Sequence, residues 1–489
     1  MFSLTPLKQS IVDVTLSPHL SMGPLRPLIE LCQDVELVRF VQTCSILYTQ
    51  EYPILICMHN TYELIMIKSM NPSRRPIFKK IIWTIDKSID EKQYAGLHTL
   101  LLNKLSKFDL TSICNLSHLQ SVTIQECSFT STQLQPLMNK MKTNKSILQF
   151  GILNCYLDAA ICISTGDMLK ENKSLETLMI AKNILDRHDA EALRQGLIVN
   201  KTLKYVNLMD NTFDDESLFK LTTSLQTHPS IQELCIQSNE CRIDAWRGIV
   251  NLLGSNTCLT SFNMSQMRLC EDQMIFICLV LGKTPLQILD ISNNNLKKEG
   301  TNAIILYLKH PTPLTSLYVN NTQLYAPLMD KFCNALQFQT SLTVLDLSRN
   351  KLKEEGIKSI ASVLDTNKIL KDLSLSKSFK GLNMTAIFDA VKKNTTLKYL
   401  DVSKNEIEST HEPSITSMLK DNKTLTYLDL SENVLTDPVA SIFYETMSYN
   451  RTIRVLKLEG NYIGFSYMNL IFDRIHMNSL VEFKSVIYL

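Results

Sequence analysis

The chain has 489 residues, of which 45% are hydrophobic and 20% charged, with 50 basic against 48 acidic side chains. That composition suits a folded body and excludes wholesale disorder. A near-neutral balance provides no clustered surplus of Lys and Arg, so no nucleic-acid partner is expected. The 13 cysteines are odd in number and scattered without a C-x-x-C pair, which fits reduced thiols in a reducing compartment. The opening MFSLTPLKQSIVDV has no basic segment leading into an apolar run, so no export signal is expected. The longest strongly apolar run, Met274 to Leu281, is far shorter than the ~20 residues of a membrane span. A cytoplasmic protein is expected, with the nucleus as the other compartment open to it.

Residues 1–96 form a first segment that does not repeat. Pro18, Pro24 and Pro27 mark turns, and Leu28, Leu31, Val35, Val38 and Val41 fall at helical spacing. Glu36-Leu37-Val38-Arg39-Phe40, followed by Thr43, Cys44 and Tyr48, resembles the second half of an F-box. That resemblance implies docking on the adaptor of a cullin-based ubiquitin ligase. The upstream Leu-Pro start of the family is missing or displaced, and a small helical cap over the first repeat is the other reading. Residues 53–57, 63–67 and 80–85 read as strands, with a turn at Asn71-Pro72-Ser73-Arg74-Arg75-Pro76. Leu97, Leu100, Leu102 and Leu105 then give an atypical first repeat, which opens a repeat domain over 97–489.

From residue 119 one template governs the chain. Leu342, Leu345, Leu347, Asn350 and Leu352 fit L-x-x-L-x-L-x-x-N-x-L at every position. Copies start at Leu119, Ile147, Leu175, Leu203, Ile231, Leu259, Leu286, Leu314, Leu342, Leu370, Leu397, Leu425 and Ile453, always 27 or 28 residues apart. The fourth and sixth positions alternate as in a short strand. Asn at the ninth position can bond the backbone of its own turn and of the neighbouring coil. The second half of each unit is helical: Ile357, Ile360, Ala361 and Leu364 share one face, and acids such as Glu354 and Glu355 stand at the helix start. A strand and a helix in 28 residues cannot bury their own apolar faces, whereas stacked copies can. A partial copy at Leu480 and Phe483 predicts a capping strand near 480–489.

Residues 119–489 resemble the ribonuclease-inhibitor-like class of leucine-rich repeats. The resemblance implies an α/β fold: a right-handed solenoid or horseshoe of about 13 repeats, with parallel strands on the concave face and helices on the convex face. It implies an intracellular protein-binding scaffold that is not an enzyme and carries no cofactor. A substrate receptor of a ubiquitin ligase is the alternative, and a small-GTPase activator or regulator a minor one.

The concave side chains carry what is particular to this chain. Leu153, Met179, Ala181, Tyr205 and Met209 predict a weakly polar patch on adjacent strands, suited to a protein partner. Asp346, Asp401 and Asp429, with Tyr399 and Tyr427, predict an acidic ladder that either serves a basic partner or is repeat wording. No metal ligation is expected: His188-Asp189 and Glu191 read as helix-start residues, and His411-Glu412-Pro413 lacks a second His. Gly282-Lys283-Thr284 lacks the earlier Gly of a phosphate loop. Asn144, Asn172, Asn200, Asn394, Asn422 and Asn450 sit in N-x-S/T sequons at one repeat phase, and they read as left-handed turn residues after each helix.

Overall fold

The computed structural model describes residues 55–58, 80–83, 97–239 and 241–486, with side chains from Leu97 through Ile475. The chain divides into two compact units, Met1–Gly248 and Ile249–Leu489. The F-box-like stretch at 36–48 and the strand expected at 63–67 lie outside the described residues.

In the first unit the strands are β1 Leu55–Met58, β2 Lys80–Trp83, β3 Thr99–Asn103, β4 Ser121–Gln125, β5 Gln149–Leu153, β6 Thr177–Ala181, β7 Tyr205–Asn207 and β8 Glu233–Cys235. All pair in parallel and in chain order. β1 and β2 therefore extend the ladder of β3, and strand pairing does not stop at the expected 96/97 division. The leucine template fails there while the backbone pattern persists. Between β3 and β4 a 3₁₀ turn, Leu110–Asn115, takes the place of a full helix, which explains the short first repeat. The helices that follow are α1 Ser131–Met141, α2 Ala159–Glu171, α3 Arg187–Val199 and α4 Asp215–Ser224, and the division between the units falls within α5 Ile243–Ser255.

The second unit holds β9 Ser261–Asn263, β10 Ile288–Asp290, β11 Ser316–Tyr318, β12 Val344–Asp346, β13 Asp372–Ser374, β14 Tyr399–Asp401, β15 Tyr427–Asp429 and β16 Val455–Lys457, again parallel and sequential. Its helices are α6 Glu271–Leu281, α7 Lys297–Leu308, α8 Met329–Ala335, α9 Lys353–Thr366, α10 Thr385–Lys393, α11 Glu412–Asp421, α12 Asp437–Met447 and α13 Phe465–Val486. The fold is the α/β leucine-rich-repeat solenoid that the period predicts. One expectation is corrected: α13 is helical through Val486, so its described part occupies the place of the capping strand expected near 480–489. Leu480 and Phe483 fit a helical spacing as well as a broken template, and no ninth-position Asn follows to close a strand turn.

The core lies between the strands and helices of each unit. Leu342, Leu345, Leu347 and Leu352 are buried, as are Ile357, Ile360, Ala361 and Leu364 on the inner face of α9. Acids occupy the first turns as the macrodipole favours, and Asp214 caps α4 by accepting from the Ser217 N–H at 2.9 Å.

Two asparagine ladders join the repeats. In the first, the ninth-position Asn accepts from backbone N–H groups of the preceding coil and donates to its carbonyls. Asn350 Oδ1 accepts from Thr322 N and Leu324 N at 3.0 and 3.1 Å, while Nδ2 donates to Val319 O at 2.8 Å. Asn183, Asn211, Asn405 and Asn433 repeat the pattern. The second ladder corrects the reading of the sequon asparagines. Asn172 has φ −66° and ψ 132°, extended and not left-handed. Its Oδ1 accepts from Ser174 N and Leu175 N at 2.9 and 2.7 Å, and its Nδ2 donates to Met141 O at 2.6 Å. Asn200, Asn394, Asn422 and Asn450 do the same and are buried, which withdraws them from any modifying enzyme in the folded chain. Left-handed backbone falls elsewhere, one residue before the first-ladder position, at Lys182, Asp210, Arg349, Lys377, Lys404 and their equivalents.

Candidate protein-interaction face

On most strands from β3 onward the residues flanking the buried apolar positions are more exposed than those positions. In β6 Leu178 and Ile180 are buried while Thr177 and Met179 are half-buried. The strand phase read from the sequence is therefore correct at Met179. In register, Gly151 of β5 pairs with Met179, and Met179 with Asn207 of β7. A Cβ on Gly151 would stand 3.0 Å from Met179 Cε, so the methionine side chain lies over the glycine and fills the space it leaves open. Thr177 pairs with Tyr205, which is 36% exposed. Leu153 and Met209 are half-buried at the ends of the neighbouring segments, joined through Asn154 N to Ala181 O and Lys182 N to Met209 O, both at 3.0 Å. Ala181 departs from the expectation: only 2% of it is exposed. Leu153, Met179, Tyr205 and Met209 thus share a weakly polar area about three strands wide, at roughly 4.8 Å per strand.

The acidic ladder lies in the second unit. Asp346 and Asp401 are half-buried and Asp429 is buried. Each carboxylate accepts from the backbone N–H two residues on: Ser348, Ser403 and Ser431, all at 2.9 Å. Asn207 and Asn263 make the same turn with their amide oxygens. The Asp-x-Ser wording therefore closes the strand end by a local hydrogen bond. Asp346 also accepts from Asn320 Nδ2 at 2.9 Å, and Asp401 from Ser374 Oγ at 3.1 Å. Burial raises the Asp290 carboxyl, with a smaller push from Asp346. Tyr399 and Tyr427 stack with centroids 4.3 Å apart, and Lys457 Nζ stands 5.6 Å from the Tyr427 ring and 3.6 Å from Asp429 Oδ2. Burial, and then Asp401, raises the Tyr399 phenol. The hydrogen bond to the Tyr427 hydroxyl raises the Lys457 ammonium. This ladder is already internally satisfied, which separates it from the area around Met179.

Other candidate residues have structural partners. Asp186 and Asp189 form a capping box at the start of α3, with His188 exposed beside it. His411 Nε2 accepts from Met384 N at 3.2 Å, and Gly282 closes α6. Among the described residues no group of three or more His, Cys, Asp or Glu is placed to hold a metal. Burial pushes the Cys114 and Cys127 thiols up to about 11, which makes them poor nucleophiles. No helix among the described residues is long and apolar enough to cross a membrane.

The strand face and its two asparagine ladders define a repeat solenoid whose variable surface is a set of exposed strand positions. A Leucine Rich repeat family model matches residues 199–221, 282–304, 338–361, 393–410 and 421–438. The chain is 25% identical over 280 residues to the ribonuclease inhibitor of Mus musculus, covering 54% of this chain and 61% of that protein. It is 25% identical over 249 residues to the Rho GTPase-activating protein gacW of Dictyostelium discoideum, covering 50% and 20%. It is also 27% identical over 193 residues to the NACHT, LRR and PYD domains-containing protein 4C of Mus musculus, covering 38% and 18%. The chain therefore carries leucine-rich repeats and is similar to ribonuclease inhibitor over about half of its length. It spans less than two thirds of the length of each of these relatives.

Proposed function

We propose that the protein is a non-enzymatic cytoplasmic scaffold that binds a protein partner on the strand face of its repeats. The observation that carries this reading is the weakly polar area of Leu153, Met179, Tyr205 and Met209, where aromatic and thioether side chains stay accessible on a rigid sheet. A preformed surface loses little ordering entropy on binding. The acidic ladder of Asp346, Asp401 and Asp429 is a weaker candidate because its carboxylates already serve strand-end turns. Affinity purification with mass spectrometry tests the reading by comparing wild type with a Met179→Glu, Tyr205→Ala double variant. Partners that the wild type recovers are expected to be lost from the variant at equal folded yield.

A second reading draws on residues 36–48: docking on a ubiquitin-ligase adaptor. Binding of the full chain to that adaptor, abolished by Val38→Asp, would favour it. Regulation of a small GTPase draws on the similarity to the Rho GTPase-activating protein. It predicts faster GTP hydrolysis in the presence of the chain.

A further inference from the structure

The longest apolar run of the sequence, Met274 to Leu281, is not explained by burial. In α6 the residues Met274, Ile277 and Leu281 face the core. On the other side Ile275, Phe276 and Leu279 are 39%, 59% and 70% exposed. A surface helix normally carries polar residues there. The next helix, α7, adds Leu306, 62% exposed. Between α6 and α7 runs a groove of about 560 Å³, lined chiefly by Ile275, Cys278, Leu279, Ala303, Leu306 and Tyr307. Further along the same unit α9, α10 and α11 expose no large apolar side chain, and exposed ones return on α13, at Phe465, Leu470 and Phe472. It lies between helices of the second unit, whereas the residues of the proposed partner face belong to strands of the first.

We propose that this groove receives an amphipathic helix of a second protein, with that helix's acidic end beside Lys283 and Lys309. Three observations fix the occupant. First, α6 has 11 residues and α7 has 12, so the groove runs for about 16 Å, the length of three helical turns. Apolar anchors at i, i+3, i+4 and i+7 of a docked helix match that length. Second, the charge is one-sided. At the N-terminal end Glu271 pairs with Lys297 at 3.6 Å and Glu299 with Lys298 at 3.3 Å. At the C-terminal end Lys283, Lys309 and His310 are exposed, and neither lysine is in an ion pair among the described residues. Acidic side chains in the first turn of a partner helix fit there and also favour that helix's own dipole. Third, the site is concave, which suits a side chain inserted between helices better than a flat lipid surface.

The test uses the full chain and two probes. One is a fluorescein-labelled peptide of about 16 residues, with Leu at i, i+3, i+4 and i+7 and Glu in its first turn. The other is a phosphatidylcholine–phosphatidylserine vesicle. The expected result is saturable binding of the peptide by anisotropy, weakened about tenfold or more by Leu279→Glu or Leu306→Glu and severalfold by Lys283→Glu. The Met179→Glu variant should bind the peptide as wild type does, which separates this site from the strand face. Because Leu279 and Leu306 are exposed, their Glu variants keep the wild-type circular dichroism and melting curve. The proposal is overturned if the peptide does not bind below about 100 μM. Equal binding by the Leu279→Glu variant would overturn it too, as would vesicle binding that Leu279→Glu abolishes in the absence of peptide binding.

Discussion

Substituting Asn350 by Ala should be among the most damaging single changes in the second unit, although it removes no apolar contact. The side chain is fully buried. Its Oδ1 is the acceptor for Thr322 N and Leu324 N, and its Nδ2 donates to Val319 O, Leu347 O and Ser348 O. Alanine leaves two buried N–H donors without their acceptor. Each orphan costs about 1–3 kcal/mol, so a loss of roughly 2–6 kcal/mol is expected, comparable to a core leucine truncation. Asn350→Asp separates the two halves of the interaction. It keeps the acceptor but places a carboxylate against three carbonyl oxygens in a buried site, which raises its folded pKa. The sign follows: such a variant is most stable below the unfolded Asp pKa of about 3.9 and loses stability as pH rises through the raised value. Urea unfolding of wild type, Asn350→Ala and Asn350→Asp at two pH values measures this. Because repeat arrays unfold in parts, hydrogen exchange at Leu324 and Leu352 should report the local loss first. An Asn350→Ala variant within about 0.5 kcal/mol of wild type, the range of a neutral surface change, refutes the ladder as a stabilising element.

Leu347→Ala, at a site 1% exposed, should cost about 2–5 kcal/mol by the same unfolding assay. Met179→Glu should change stability by no more than about 0.5 kcal/mol, whereas Ala181→Glu, at a site 2% exposed, should unfold or strongly destabilise the first unit. Gly166→Val should cost at least about 1–3 kcal/mol, because a Cβ there would stand 2.2 Å from Ala192 O on the next helix. His228 occupies the second-ladder position held by Asn200 and Asn256 in adjacent repeats, and burial, followed by Lys201, lowers its pKa from 6.5 to about 4. A folded pKa below the unfolded one means stability that is present above pH 6.5 and lost as pH falls toward 4. Unfolding of His228→Asn should lack that step.

The period made the fold legible, because a spacing of 27 or 28 residues recurs from Leu119 to Ile453 and the leucine positions proved buried, with Leu456 of the last copy half-buried. Single positions depended on geometry that periodicity does not carry. Ala181 follows the same alternation as Leu153 and Met209, yet only 2% of it is exposed, because a methyl group is short enough to be covered where longer side chains are not. The sequon asparagines lie where a helix ends, and the sequence could not separate a left-handed turn from an extended residue whose amide reaches the next coil. The aspartates of the Leu-Asp-Leu-Ser wording read equally as a site for a basic partner or as repeat wording, and their carboxylates accept from the backbone two residues on, a role for which the following Ser was the available signal. The groove beside Leu279 was foreshadowed by the run from Met274 to Leu281. Run length alone does not say which of its residues face outward.

Site-specific photo-crosslinking from the strand face addresses the central claim most directly. A photoreactive phenylalanine analogue placed at Tyr205 should yield one or a few discrete protein adducts in cells. The same adducts should form from position 179 and disappear when Met209→Glu is added. Adducts that form from neither position, or that persist unchanged with Met209→Glu, would contradict a partner seated on Leu153, Met179, Tyr205 and Met209.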